Sequence, residues 1–328
     1  MSVNVHAGWR LRSGLAFEEL GRALLAYDCV VCVKQVPDTA RITGDAMKAD
    51  GTVNRAALPA VFNPDDLHAL EAALAIRDHR GGSVTALTMG PLGAVDVLRE
   101  CLYRGADRAI IVNDRRAAAS DTLATSYILS RAVEKIGRHD FVFCGRQAID
   151  GDTAQVGPQL AEKLGFAQIT YFERIVELSD RTVRARRNVG NGWEVIEARL
   201  PVLLTVLDTA NEPRPAAARK MMRFKRARTI PEVARDVERA MPDADDDERE
   251  AEQARRIETL KMRGLLIEQW DLDLIEADLK WCGLSGSPTK VHRVQSIVLA
   301  KEGYKEVPPT EEGVREMIHE LIVDHTLG

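Results

Sequence analysis

The sequence predicts an α/β fold: a mostly parallel sheet with helices on both faces, followed by a helical or extended C-terminal arm. Three observations carry this expectation. Short, almost continuously apolar runs, such as Asp28 to Val36 and Pro201 to Leu207, read as strands covered on both faces. Amphipathic stretches with helix start and stop signals lie between such runs. Strand and helix alternate at the pace of βαβ units, which requires parallel pairing.

The elements follow in order. Residues 1–27 read as an N-terminal extension, in which Trp9, Leu11, Leu15, Phe17, Leu20, Leu24 and Leu25 give a helical pattern from about Ser13. The first strand spans Asp28 to Val36, and Pro37-Asp38-Thr39 ends it. Residues 40–60 form an excursion or hairpin around the turn signal Asp50-Gly51. Asn63-Pro64-Asp65-Asp66 opens a helix: Asn63 suits the N-cap, Pro64 the first helical position, and the two acids complement the dipole. Leu67, Leu70, Ala73, Leu74 and Ile76 make its apolar stripe, and Gly81-Gly82 stops it. Ser83 to Thr88 is the next strand, Ala94 to Tyr103 a helix and Ala109 to Val112 a third strand. Ser120-Asp121-Thr122 caps a helix over Leu123 to Ile136. The strand Asp140 to Cys144 runs into a polar turn and then a helix from Thr153 to Leu164.

Ile169 to Glu177, Thr182 to Arg187 and Gly192 to Ala198 alternate more, as antiparallel or mixed strands do, with Asn191-Gly192 as a hairpin signal. Val202 to Val206 is continuously apolar and belongs near the centre of the sheet. Beyond Asn211 a basic run extends from Arg214 to Arg228, and residues 231–263 are dense in charge of both signs. The latter read as an exposed helix or a partly disordered linker. The tail Glu311 to Ile322 places Val314, Met317, Ile318, Leu321 and Ile322 on one helical face.

Composition narrows the function. A net charge of −5 over 328 residues disfavours nucleic acid as a partner. No apolar run is long enough to span a bilayer, so direct membrane insertion is not expected. Residues 1–28 lack a secretory pattern, which favours a cytoplasmic location. Five widely spaced cysteines imply no disulfide framework. Cys29 and Cys32 have C-x-x-C spacing, but on a strand that spacing puts them on opposite faces, unlike a redox pair at a helix start. The seven histidines form no pair with metal-ligand spacing. No signature of a hydrolase, metalloprotease or kinase is present, and no catalytic residue is singled out.

Ligands of parallel sheets bind beyond the carboxyl ends of the strands. Four turns converge there: 34–39, 63–66, 89–91 and 145–157, with 121–125 within reach of the same rim. The segment Gly145-Arg-Gln-Ala-Ile-Asp-Gly-Asp-Thr-Ala-Gln-Val156 joins a strand to a helix. Unpaired N–H groups at a helix start favour a phosphate. On spacing alone this is equally an ordinary strand-to-helix turn, because it lacks a P-loop Lys and the G-x-G-x-x-G spacing.

Val31 to Thr39 (V-C-V-K-Q-V-P-D-T), Asn63 to Asp66, Thr88 to Pro91, Arg104 to Arg108 and Gly145 to Pro158 together resemble the beta subunit of electron transfer flavoprotein. The matches are in order, cover about 28–225, and return near Gly283 to Val291. The resemblance implies a Rossmann-like, adenine nucleotide-binding domain and a heterodimer with an alpha subunit that carries a redox-active FAD. In one branch of the family the beta subunit holds AMP, and its contacts map onto Cys32, Asn63, Pro64, Asp65, Asp66, Met89 and the span Gly145, Arg146, Gln147, Ala148, Ile149, Asp150, Gly151, Asp152, Thr153, Ala154, Gln155 and Val156. Ser120 to Ser126, Asp150 to Gly157 and Gly283 to Thr289 look more like the electron-bifurcating branch. There a second FAD replaces AMP and NAD(H) stacks on it.

The resemblance then implies roles. Backbone N–H groups of 152–156 would hold the pyrophosphate. Asp121, Thr122 and Thr125 would extend the site, the two hydroxyls facing ribityl or phosphate oxygens. Arg146 would place positive charge near the flavin, or else form a solvent or subunit salt bridge. The expected division is 1–27 extension, 28–225 nucleotide/FAD-binding α/β domain, 226–265 charged insertion or linker, and 266–328 C-terminal arm contacting the alpha subunit. The function implied is electron transfer as an oxidoreductase component, between NADH, the alpha-subunit FAD and a partner dehydrogenase. The extension and the insertion are expected to dock additional redox subunits. Asn211-Glu-Pro-Arg214 is present, but the position that presents an anchoring leucine to acyl-CoA dehydrogenases in the AMP branch is Ala218 here. Two alternatives remain: a non-bifurcating subunit with structural AMP, and a nucleotide-binding or sensing α/β module without a redox role.

Overall fold

The computed structural model describes residues 26–38, 58–290 and 306–323. The expected N-terminal helix and the turn at Asp50-Gly51 lie outside these residues. The chain divides into two units, one of residues 1–41 and 58–291 and the other of 42–57 and 292–328.

Among the described residues the first unit is built on a nine-stranded sheet. Strand β1 (Cys29–Cys32) lies inside it. The chain then runs outward through β4 (Val84–Met89) and β5 (Arg108–Val112), and β6 (Phe141–Gly145) pairs with the other side of β1. Beyond β6 come β10 (Val202–Val206), β7 (Ala167–Leu178), β8 (Thr182–Asn188) and β9 (Trp193–Arg199). Pairing is parallel as far as β7 and antiparallel for β8 and β9. The apolar run Val202–Val206 is therefore internal, as its composition implied. Far beyond these in sequence, β11 (Glu268–Trp270) adds a parallel edge strand beside β5.

Helices cover both faces. Helices α1 (Pro64–Arg80) and α2 (Val95–Arg104) pack with Cys29, Val31, Phe141 and Phe143 on one face. Helices α3 (Thr122–Ile136) and α4 (Val156–Leu164) pack with Val30, Cys32, Val142 and Cys144 on the other. Each fully buried Phe, Leu or Ile contributes about 1.5–3 kcal/mol. Cys29 and Cys32 fall on opposite faces of β1, and all five cysteines are free and buried.

The first strand is shorter than its apolar run. After Val33 the Lys34 N–H donates to the Asp66 carboxylate at 2.8 Å instead of to a neighbouring strand. The chain leaves the sheet there and forms a separate antiparallel ribbon, β2 (Gln35–Pro37) with β3 (Ala60–Phe62). Helix α4 begins at Val156, three residues later than Thr153, because Asp152 and Ala154 have φ of 49° and 52°, in the left-handed region.

The charged stretch after the basic helix α5 (Ala218–Phe224) folds as two helices, α6 (Ile230–Ala240) and α7 (Asp246–Met262). Thr229 and Glu232 form a reciprocal capping box at the start of α6. Thr229, Val233 and Val237 are buried, and Glu232 pairs with Arg99 of α2. Short α8 (Gly283–Gly286) follows β11. In the second unit α9 (Glu311–Val323) forms over the expected tail.

Candidate nucleotide site

The chain steps from β1 outward to β4 and β5, then returns to place β6 on the other side of β1. The carboxyl ends of β1 and β6 therefore flank a topological switch point, where a parallel sheet opens a crevice. Cys32 is the last residue of β1, and Cys144 precedes Gly145 at the end of β6. Val31 is in register with Phe143, so Cys32 and Cys144 are neighbours on the crevice floor. The adjacent Cys32 thiol and burial hold the Cys144 thiol well above the usual thiol range.

The Asn63 to Asp66 segment is inserted at this point. The Asp66 carboxylate accepts the Lys34 N–H at 2.8 Å and the Gly145 N–H at 3.1 Å, tying the two strand ends together. A side chain at Gly145 has no room, because a Cβ there would lie 2.4 Å from the Asp66 Oδ1. Burial pushes the Asp66 carboxyl up to about 7, against hydrogen bonds from Asn63, Lys34 and Gly145. Asp65 accepts from the Gln147 N–H at 3.3 Å and lies 3.4 Å from the Arg146 Nε. Asn63 does not cap α1 with its side chain. Its amide instead grips the following loop, donating to the Gln147 carbonyl at 2.8 Å and accepting from the Ile149 N–H at 3.2 Å. The polar groups of this motif thus hold the 145–150 loop, while Pro64 is exposed.

At the other end of the loop, Gly151 and Asp152 turn back onto the Ala148 carbonyl. No group among the described residues accepts a hydrogen bond from the N–H groups of Thr153, Ala154, Gln155 or Val156. Ala154 has positive φ and Gln155 is right-handed, an alternation that turns successive N–H groups toward one point. Helix α4 continues directly from it, with its dipole aligned behind the same N–H groups. Two non-glycine residues with positive φ within three positions are strained backbone, of the kind found around ligand sites.

Helix α3 reaches this loop. The Thr122 hydroxyl donates to the Gln155 Oε1 at 3.0 Å, and Thr125 lies one turn further along α3. Asp121 caps α3 by accepting from the Ala124 N–H at 2.9 Å. Its second carboxylate oxygen accepts from the Thr289 N–H at 2.9 Å, and its own N–H donates to the Ser287 hydroxyl at 2.8 Å. The Gly283 N–H donates to the Ser120 hydroxyl at 3.1 Å. Residues 283–289 are therefore fastened to the start of α3.

Of the sequence-derived positions, the structure joins Asn63, Asp65, Asp66, Gly145 to Asp152, Gln155 and Thr122 by direct contacts. Met89 ends β4 on the same rim but has no polar link to the loop. Lys34 was missed. Its ammonium group binds both oxygens of Asp150 at 2.7 and 2.8 Å across the crevice. The signal was present: Lys34 is the first charged residue after the apolar run of β1, at its carboxyl end. Cavities of about 190 and 350 Å³ lie elsewhere, beside Arg131 and Leu274 and beside Arg99 and Arg235, and contain none of these residues. No cluster of metal-ligating side chains occurs among the described residues. None of their helices is long and apolar enough to cross a membrane.

Comparison with known proteins places this arrangement in context. Residues 50–233 match the family model described as electron transfer flavoprotein domain. The chain is 43% identical over 271 residues to protein FixA of Azorhizobium caulinodans, covering 81% of this chain and 83% of that one. It is 38% identical over 296 residues to the electron transfer flavoprotein subunit beta of Clostridium acetobutylicum, covering 90% and 98% respectively. It is 50% identical over 187 residues to the acryloyl-CoA reductase electron transfer subunit gamma of Anaerotignum propionicum, covering 56% and 69%.

Proposed function

We propose, from the premise that this chain belongs to the electron transfer flavoprotein family and is similar to its beta subunits, that it binds FAD in the β1–β6 crevice. In this reading it works in a heterodimer with an alpha subunit and takes part in electron transfer with NAD(H) and a partner dehydrogenase, by flavin-based bifurcation. The observation that carries the reading is the run of N–H groups from Thr153 to Val156, without an acceptor among the described residues, at the start of α4 and joined through Gln155 to Thr122 of α3. The N–H groups suit a pyrophosphate. The link to α3 extends the polar rim from α4 to the start of α3, where residues 283–289 are fastened. A bound flavin supplies the electron and hydride chemistry, and the protein supplies position and charge.

The chain's own residues divide the work. Asn63, Asp65 and Asp66 hold the 145–150 loop, and the N–H groups of 153–156 receive the phosphates. Thr122 and Thr125 orient the remainder of the dinucleotide, and Arg146 offers a partly exposed cation close to Asp65. The C-terminal arm (266–328) contacts the alpha subunit, while the N-terminal extension and α6–α7 face further redox subunits. Helix α5 leaves Met221 and Met222 exposed and supplies a docking surface where Ala218 cannot act as a leucine anchor. The relative described as an electron transfer subunit of acryloyl-CoA reductase supports a redox enzyme as that partner.

The test is cofactor extraction from the purified heterodimer. Two FAD per heterodimer is the expected result. One FAD with one AMP would establish the structural-AMP alternative, and no flavin at all would overturn the electron-transfer reading. Replacing Thr122 and Thr125 together by Val should remove the flavin of this subunit and leave that of the alpha subunit. Retention of both at full occupancy would remove the role given to these hydroxyls.

A further inference from the structure

The crevice between β1 and β6 is bridged at two depths. At the floor the bridge is the Asp66 carboxylate, buried and bound to backbone N–H groups on both sides. At the mouth it is the ion pair of Lys34 and Asp150, with the Lys34 side chain 48% exposed. The two bridges differ in kind. Asp66 is fixed by main-chain donors and has no solvent to move into. Lys34 is a compact charge on a flexible four-carbon stem, so it can change partners at little conformational cost. Its present partner lies three residues before Thr153, where the unpaired N–H groups begin.

We infer that Lys34 is a further ligand of the anionic part of the nucleotide, held in waiting by Asp150. When a pyrophosphate occupies the N–H groups of 153–156, the Lys34 ammonium leaves the Asp150 carboxylate for a phosphate oxygen. Asp150 thus competes with the ligand for one cation, and the ion pair sets affinity from the unliganded side. The reason is chemical. The loop before these N–H groups carries two carboxylates, Asp150 and Asp152, and its own cation, Arg146, lies 3.4 Å from the Asp65 carboxylate. The backbone dipoles must then hold a doubly charged group beside two acids, with the loop's own cation turned to Asp65. A mobile lysine from the opposite wall corrects that balance, and an ion pair this exposed is weak enough to be exchanged.

This inference rests on the nucleotide reading of the crevice, and the experiment separates the two. FAD and AMP binding to the full chain, stripped of nucleotide, is measured by calorimetry at several salt concentrations. Variants are Lys34→Met, Asp150→Asn and the double variant. Lys34→Met should weaken binding on the order of ten-fold and flatten its salt dependence. Asp150→Asn should tighten binding about two- to five-fold, the worth of a surface ion pair. The gain should vanish in the Lys34→Met background, because the exchange acts through Lys34. If Asp150→Asn weakens binding as Lys34→Met does, the pair is a structural clamp and the exchange is wrong. If the gain persists without Lys34, Asp150 acts by simple repulsion and the exchange is equally wrong. If the wild-type chain binds neither nucleotide, the site reading fails and the inference with it.

Discussion

Asp66 accepts hydrogen bonds on both carboxylate oxygens from two strands, and an asparagine could accept on only one. Asp66→Asn should therefore cost about 1–3 kcal/mol in denaturant unfolding, the price of one buried N–H without an acceptor. The same residue has a pH signature opposite to that of most acids. Its folded-state carboxyl lies at about 7, above the ordinary value, because burial disfavours the charge. Between roughly pH 4 and 7 the folded chain retains a proton that the unfolded chain has released. Its contribution to stability is therefore complete below about pH 4, falls as pH rises to about 7, and is constant above. Unfolding measured across that range should show this decline in the wild type and lose it in Asp66→Asn. Gly145→Ala probes the other side of the contact. Its methyl group would meet Asp66 at 2.4 Å and the Asp65 backbone at 2.7 Å. It should cost about 1–3 kcal/mol, the usual penalty of overpacking, and loosen nucleotide retention in parallel. At this scale the sequence was half legible. The Asn-Pro-Asp-Asp cluster announced itself, but its local reading as a helix start was incomplete. Its partners lie 32 residues before it and about eighty after it, and local rules cannot express such contacts.

Element boundaries were legible wherever local chemistry sets them. Pro64 starts α1, and Asp121 caps α3. They were lost where distant groups decide. The end of β1 depends on Asp66, and the start of α4 on two left-handed residues that no glycine marks. The capping box Thr229-x-x-Glu232 was visible in the sequence, yet the surrounding charge left an exposed helix and a partly disordered linker both open. Asp121 joins two elements, since it caps α3 and fastens residues 283–289. Asp121→Ala should cost about 0.5–2 kcal/mol from the cap. It should also raise hydrogen exchange at 283–290 well beyond that at 128–133, where α3 is buried. Equal protection at 283–290 in the variant and the wild type would show that the segment is held by other contacts.

For the molecule as a whole, the parallel core and its two helical layers followed from pattern alone. The edge strand β11 did not, because three residues carry little periodicity and their partner β5 lies about 160 positions earlier. The charged segment 231–263 is also better integrated than its composition implied. Removing all of it would expose the surfaces that bury Val233 and Val237, so its proposed docking role needs a gentler probe. No residue of α7 is buried. Reversing charges along α7 should leave unfolding within about 0.5 kcal/mol of wild type while weakening assembly with any redox subunit that docks there. Size-exclusion of the reconstituted complex measures that directly. The strand order has one more consequence, in time. Strand β1 is made early, yet its neighbour β6 is completed only at Gly145. At about 5–20 residues per second, an emerging chain waits on the order of ten seconds between the two. Throughout that interval the ribosome displays an apolar strand with an open edge, and the crevice has only one wall. A nascent chain arrested between β5 and β6 should therefore recruit chaperones and fail to retain nucleotide, whereas one arrested beyond β10 should retain it.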